Sequence, residues 1–249
     1  MTSAQRPYPA RLTGRLDTPL SRWLWLVKWL LVIPHAIVLA FLWLAFMVLT
    51  VIAFFAILIT GRYPRGIFTF NVGVIRWTWR VAFYALDCFG TDRYPPFSLR
   101  PDPNYPAGFE VDYPERLSRG LVLVKWWLLA IPHLIIVSIL TGGWGAGGSG
   151  DWRAAGGIGL IGVLAVIAGF FLLFTRQYPR QLFDLVMGLN RWCYRVLAYV
   201  ALLRDEYPPF RLDSGGADPG DEPVLPPGPD PAAGPVEGPL QPAPTAPGR

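Results

Sequence analysis

The chain has 249 residues, 53% hydrophobic and 16% charged, with a formal net charge of +5 and only two histidines and two cysteines. A soluble domain carries nearer a quarter charged residues, so the composition argues against a water-soluble globule. It also excludes a histidine- or cysteine-rich metal centre, and Cys88 and Cys193, which have no metal or redox spacing, read as single buried or interfacial thiols.

Residues 1–7 form a short extension. Two tandem modules follow, over 8–100 and 101–212, because the chain repeats itself. Tyr8-Pro9-Ala10 returns as Tyr105-Pro106-Ala107, and Leu20-Ser21-Arg22 as Leu117-Ser118-Arg119. Ile33-Pro34-His35 returns as Ile131-Pro132-His133, Tyr63-Pro64-Arg65 as Tyr178-Pro179-Arg180, and Tyr94-Pro95-Pro96-Phe97 as Tyr207-Pro208-Pro209-Phe210.

In the first module, Trp23 to Ile59 contains one charge, Lys28. As a helix this run is about 55 Å long, against a bilayer core of about 30 Å. It is either one long helix or a tight hairpin. The second copy carries a glycine-rich insertion at 141–157 that includes Asp151 and Arg153. Such a segment cannot sit within a lipid-exposed helix, where its backbone groups would go unsatisfied. Aligned back, it falls at Leu42-Trp43, which predicts a turn there with Trp43 among the headgroups. The spans expected are 23–41 and 44–60, then 121–140 and 156–174. Against this turn stands Leu42-Trp43-Leu44-Ala45, which has no Gly or Pro. The first run is too long and starts too late for a cleaved signal peptide.

After each apolar stretch comes an amphipathic one, about 66–89 and 181–203. Thr69, Gly73, Arg76, Arg80 and Asp87 line one helical stripe, as do Asp184, Gly188, Arg191 and Arg195. A helix lying in the interface with its arginines towards water satisfies both faces. A third span with arginines facing a bundle interior is the competing arrangement. Residues 213–249, dominated by Pro, Gly and Ala, read as a disordered tail. The fold expected is all-α integral membrane: two modules, each a transmembrane hairpin followed by an amphipathic interfacial helix.

With two spans per module, Arg153 alone of the 22 Lys and Arg faces the opposite side. The positive-inside rule then puts both termini in the cytoplasm, in a multi-pass protein. Candidate contacts to anionic lipid or a partner are Arg62, Tyr63, Arg65, Arg76, Arg80, Tyr178, Arg180, Arg191 and Arg195. The bland alternative for these is topological anchoring. His35 and His133, each after a proline within a span, are candidate intramembrane polar sites; the alternative is a histidine satisfying carbonyls freed at a kink. The Tyr-Pro-Pro-Phe segments are read as folding the module ends back onto the helices or the interface, the alternative being aromatics that bind a partner.

The chain lacks a phosphate-binding Gly-Lys-Ser/Thr loop, a Gly-x-Ser-x-Gly and a His-Glu-x-x-His, so no enzyme and no cofactor are expected. The expected partners are the bilayer, anionic lipid within it, and a membrane protein or second copy of the chain; the basic balance needs no nucleic acid. Lys-Trp-Leu-Leu-x-Ile-Pro-His, Gly-Arg-Tyr-Pro-Arg-Gly, Arg-Trp-x-Trp-Arg-Val and Asp-Arg-Tyr-Pro-Pro-Phe resemble an uncharacterised family of small bacterial membrane proteins, classed as a domain of unknown function. The resemblance covers about 8–100 and 105–212. It implies the cytoplasmic membrane of a bacterium and brings no catalytic residues. The function expected is a non-enzymatic scaffold or a lipid- or partner-interacting protein with a basic cytoplasmic face. The alternative is a transporter, channel or lipid-moving protein built from two parallel repeats.

Overall fold

A computed structural model describes residues 8–142, 159–175 and 177–209. Most of the glycine-rich insertion and the whole 213–249 tail lie outside the described residues. Among those described, one helix is long and apolar enough to cross a membrane. This is α1, Leu24–Thr60, and it runs unbroken for 37 residues. The turn expected at Leu42-Trp43 is therefore not made. Nothing in that stretch favours leaving the helix, and Trp43 has a better partner than a headgroup: its indole N–H donates to Thr78 Oγ1 at 3.1 Å.

The turn comes instead at Gly61-Arg62-Tyr63-Pro64. Gly61 takes a left-handed φ of 70° that few other residues accept, and its N–H caps the Ile57 carbonyl. Pro64 then precedes α2, Arg65–Val81, which widens into a π turn over Ala82–Leu86. α2 runs back along α1: Asn71 donates to Thr50 Oγ1, Thr78 meets Trp43, Trp77 meets His35 and Tyr84 meets Lys28. The helical hairpin is thus α1 against α2, not the two halves of α1.

In the second module the α1 equivalent is broken. It comprises α3 (Arg119–Val124, its first turn capped by Ser118 Oγ on Leu121 N), a π turn (Lys125–Leu129), α4 (Ile131–Thr141) and α5 (Leu160–Thr175). The insertion leaves and re-enters at one point: Gly159 lies so close to Thr141 and Gly142 that a Cβ on it would sit 2.1 Å from the Gly142 nitrogen. From the Tyr178-Pro179 turn, α6 (Arg180–Val200) runs back along α5 and then α4, its Trp192 stacking on His133. α3, α4 and α5 are thus successive segments of one interrupted rod. This rod lies antiparallel to α1. Leu117 at its start donates to Gly61 at the end of α1, and Phe170 near its end meets Trp25 at the start of α1.

The fold is not wholly α. β1 (Ala10–Gly14) and β2 (Ala107–Val111) pair antiparallel, Leu12 opposite Phe109. Each alternates, with Ala10, Leu12, Ala107 and Phe109 inward and Arg11, Thr13 and Glu110 outward. The ribbon joins the two copies. It lies on the face of α2 and α6 away from the rods: Trp77 and Thr78 face α1, whereas Trp79 donates to the Thr13 carbonyl and Arg76 to that of Phe109. The result is three layers, with one large apolar core drawn from both strands and all six α-helices, and a smaller cluster of Val32, Leu39, Trp77, Val81, Tyr84 and Ala85 between α1 and α2.

Candidate functional site

The outer face of the rod layer is apolar along its whole length. On α1, Leu30, Ile37, Phe41 (70% exposed), Leu44, Val51 and Ile59 stand free; on the second rod, Ile131, Ile135, Ile139, Ile167 and Phe174 (78%) do. An exposed apolar surface of this extent marks contact with lipid or another protein. The exposure arises because only one side of each rod meets α2 or α6.

The polar groups of the rods are turned the other way. Lys28 is buried and pairs with Asp92 at 2.8 Å, donates to the Thr91 carbonyl at 2.6 Å and lies over the Tyr84 ring. Lys125 repeats this with Asp205, the Arg204 carbonyl and Tyr199. His35 Nδ1 accepts from the Trp77 indole at 3.1 Å and stacks on Phe97 at 4.0 Å, with Tyr94 beside it. His133 lies 3.3 Å from the Tyr207 hydroxyl. Tyr94-Pro95-Pro96-Phe97 and, in the second half, Tyr207-Pro208-Pro209 therefore fold back over a histidine. The two histidines sit in separate environments rather than along one path.

Four of the candidate arginines are buried: Arg76, Arg80, Arg191 and Arg195. The arginine stripe faces the ribbon, not headgroups or water, which corrects the expected orientation of α2 and α6. The physical reason is the supply of carbonyls. Arg76 donates to Phe109 and Leu99, both at 2.8 Å, and Arg80 to Ser98 at 3.1 Å and Arg100 at 2.8 Å. Arg191 donates to the Leu12 carbonyl, and Arg195 lies over the Tyr8 ring. The carbonyls that Arg76, Arg80 and Arg191 hold lock the ribbon and the 98–100 segment onto α2 and α6.

Tyr63 and Tyr178 are buried beneath the two turns. The Tyr63 hydroxyl accepts from Asn71 Nδ2, and burial pushes its pKa up to about 12. Arg62, Arg65 and Arg180 remain at the surface or partly so, with Arg65 over the Tyr113 ring at 5.0 Å. Arg62 gains company that the sequence reading missed. Thr60, Gly61, Arg62, Arg116, Leu117 and Arg119 line an open cleft of about 430 Å³ at the end of α1. The only signal of Arg116 and Arg119 was that they flank the repeated Leu-Ser, which says nothing of Arg62, more than 50 residues earlier. Among the described residues none of the three pairs with a carboxylate.

Between the modules lies a cavity of about 370 Å³ lined by Trp43, Thr78, Asp87, Val137, Asn190, Cys193 and Tyr194, among others. Among the described residues its lining includes no histidine and no arginine. Burial pushes the Asp87 carboxyl up to about 6. No three His, Cys, Asp or Glu side chains converge as a metal site among the described residues.

The sequence model of a domain of unknown function, DUF4389, matches residues 22–98 and 157–211. The chain belongs to this family. The matched segments take in α1 and α2, then α5 and α6, each ending at a Tyr-Pro-Pro-Phe. They leave out both strands and the Leu99, Arg100 and Phe109 carbonyls that hold the family segment's arginines. No curated protein and no solved structure matches the chain. The family's description carries no activity, so function rests on the surfaces above.

Proposed function

We propose that the chain is a non-enzymatic membrane protein of the bacterial cytoplasmic membrane, with both termini cytoplasmic, that binds anionic lipid or a membrane partner through a basic rim. The observation that carries this reading is the exposed apolar face shared by α1 and the α3–α5 rod. The cleft of Arg62, Arg116 and Arg119 lies where that face ends, at the depth of lipid phosphates if the rods are immersed. The headgroup set is accordingly Arg62, Arg65, Arg116 and Arg119, with Arg180 at the second turn. The buried arginines are left out of it. Two crossings per module lose their support once α1 is unbroken.

Flotation of the full chain with vesicles of phosphatidylcholine alone, or with added phosphatidylglycerol, tests this. Binding should rise with anionic lipid. The triple variant Arg62→Gln/Arg116→Gln/Arg119→Gln should lose that rise while still floating, at about fivefold per charge if each contributes about 1 kcal/mol. Equal binding by parent and variant would sink the arginine site.

A second reading, a transporter, channel or lipid-moving protein, is favoured by the inter-module cavity and its single carboxyl. Solute or lipid flux through proteoliposomes that Asp87→Asn abolishes would establish it.

A further inference from the structure

We infer that the chain lies flat in a single leaflet, its two rods parallel to the membrane plane and their apolar face among the acyl chains, rather than crossing the bilayer. This rests on the membrane reading above and adds the orientation.

The length of the apolar face comes first. The exposed side of α1 is apolar from Leu26 to Ile59, and no charge falls between the buried Lys28 and Arg62. A rod of about 55 Å matches a core of about 30 Å only at a tilt of roughly 55°, beyond the range of about 0–40° that spanning helices adopt. A helix lying in the plane has no such length limit.

The position of the ribbon decides the matter. Thr78 meets Trp43, the middle of α1, and the next residue, Trp79, meets Thr13 of the ribbon. The ribbon therefore sits beside the midpoint of the rods. Its outer side carries Arg11, paired with Asp112 at 3.3 Å and near Glu110, both carboxylates more than half exposed. An upright molecule would hold these charges at the bilayer centre facing lipid, where charged side chains are strongly disfavoured. Laid flat, the ribbon is the layer farthest from the membrane and stands in water. The rod layer is one helix thick, about 10 Å, which matches the 5–10 Å to which interfacial helices sink.

Charge agrees with the same pose. Arg62, Arg116 and Arg119 at the end of the rod layer come level with phosphates, and the chain's +5 balance favours an anionic leaflet. The occupant of the apolar face is thus the acyl-chain region of one anionic leaflet.

Depth measurement tests this. Leu30→Cys, Leu44→Cys and Ile59→Cys place thiols near the start, middle and end of α1. The native Cys88 and Cys193 are buried, so the parent chain supplies the labelling blank. A fluorophore on each, in phosphatidylglycerol-containing vesicles, is quenched by lipids bearing nitroxides at a shallow or a deep acyl carbon. The flat pose gives all three one shallow depth, to within about 5 Å. A Leu44→Cys label about 15 Å deeper than the other two would overturn it in favour of a crossing. Chains that float but whose labels no lipid nitroxide quenches would overturn it in favour of a second copy covering the face. Chains that do not float at all would overturn the membrane reading itself.

Discussion

Replacing Arg80 with Met separates the two roles open to the arginine stripe. Arg80 is wholly buried, and its two Nη groups hold the Ser98 and Arg100 carbonyls at 3.1 and 2.8 Å. Hydrogen bonds from a charged donor contribute about 1.5–3 kcal/mol each. Met preserves most of the volume, so Arg80→Met should cost about 3–5 kcal/mol, chiefly from two carbonyls left without their donor. For a chain of this size each kcal/mol lowers Tm by about 2–4 °C, which makes the expected fall about 10 °C by thermal circular dichroism in mild detergent. Flotation with anionic vesicles at a temperature where the variant is folded should match the parent to within about twofold, because a buried charge does not meet headgroups. An unchanged Tm with a fivefold or greater loss of vesicle binding would refute the buried-clamp assignment and restore Arg80 to the lipid surface.

Three further outcomes follow from the geometry. Because Gly159 abuts Thr141 and Gly142, deleting 142–158 should join α4 to α5 as one rod and leave Tm within a few degrees; loss of the folded state would show that the insertion supports the second module. Removing the counter-charge of the buried Lys28 with Asp92→Ala should cost about 3–5 kcal/mol, part of it from the Ser21 N–H that Asp92 also accepts, and Lys28→Met/Asp92→Ala should recover the part due to the ammonium; a double variant as unstable as the single would contradict this. The Asp87 carboxyl titrates near 3.8 unfolded and near 6 in the fold, raised by burial, so the folded state binds more protons between those values. Stability should therefore fall as pH rises through that window, by about 2–3 kcal/mol, and Asp87→Asn should flatten that part of the profile. An identical slope in the variant would assign the titration elsewhere.

What could be read in advance follows the range of the interactions. Local chemistry was legible: the end of the first apolar run near residue 60, the helical stretches that follow at about 66 and 181, and Tyr94-Pro95-Pro96-Phe97 folding back onto the helices. The stripe of Arg76 and Arg80 was also visible as a stripe. Which way it faces was not, because the carbonyls it meets at 98–100 and 109 come from an irregular segment and a strand with no periodicity of their own. The ribbon was missed for a related reason. Five-residue strands such as Ala10–Gly14 carry little signal, and each is stable only against its counterpart nearly 100 residues away. The misplaced turn came from treating the length difference between the copies as a fold difference. Gly159 against Gly142 shows that an insertion can leave a helix and re-enter beside its exit, so that the copies keep one architecture.

The ribbon also sets the order in which the molecule can be completed. β1 emerges first during synthesis but has no partner until Val111 has been made, and Arg76 lacks its Phe109 acceptor until nearly the same moment. The first copy is thus held unfinished, with an open strand edge and a guanidinium awaiting its carbonyl, until the second begins. A gene fragment ending near residue 100 would encode a protein missing one side of its own clasp. The same clasp could then close only by borrowing a strand from elsewhere, so the chain up to residue 100 is not a self-sufficient folding unit.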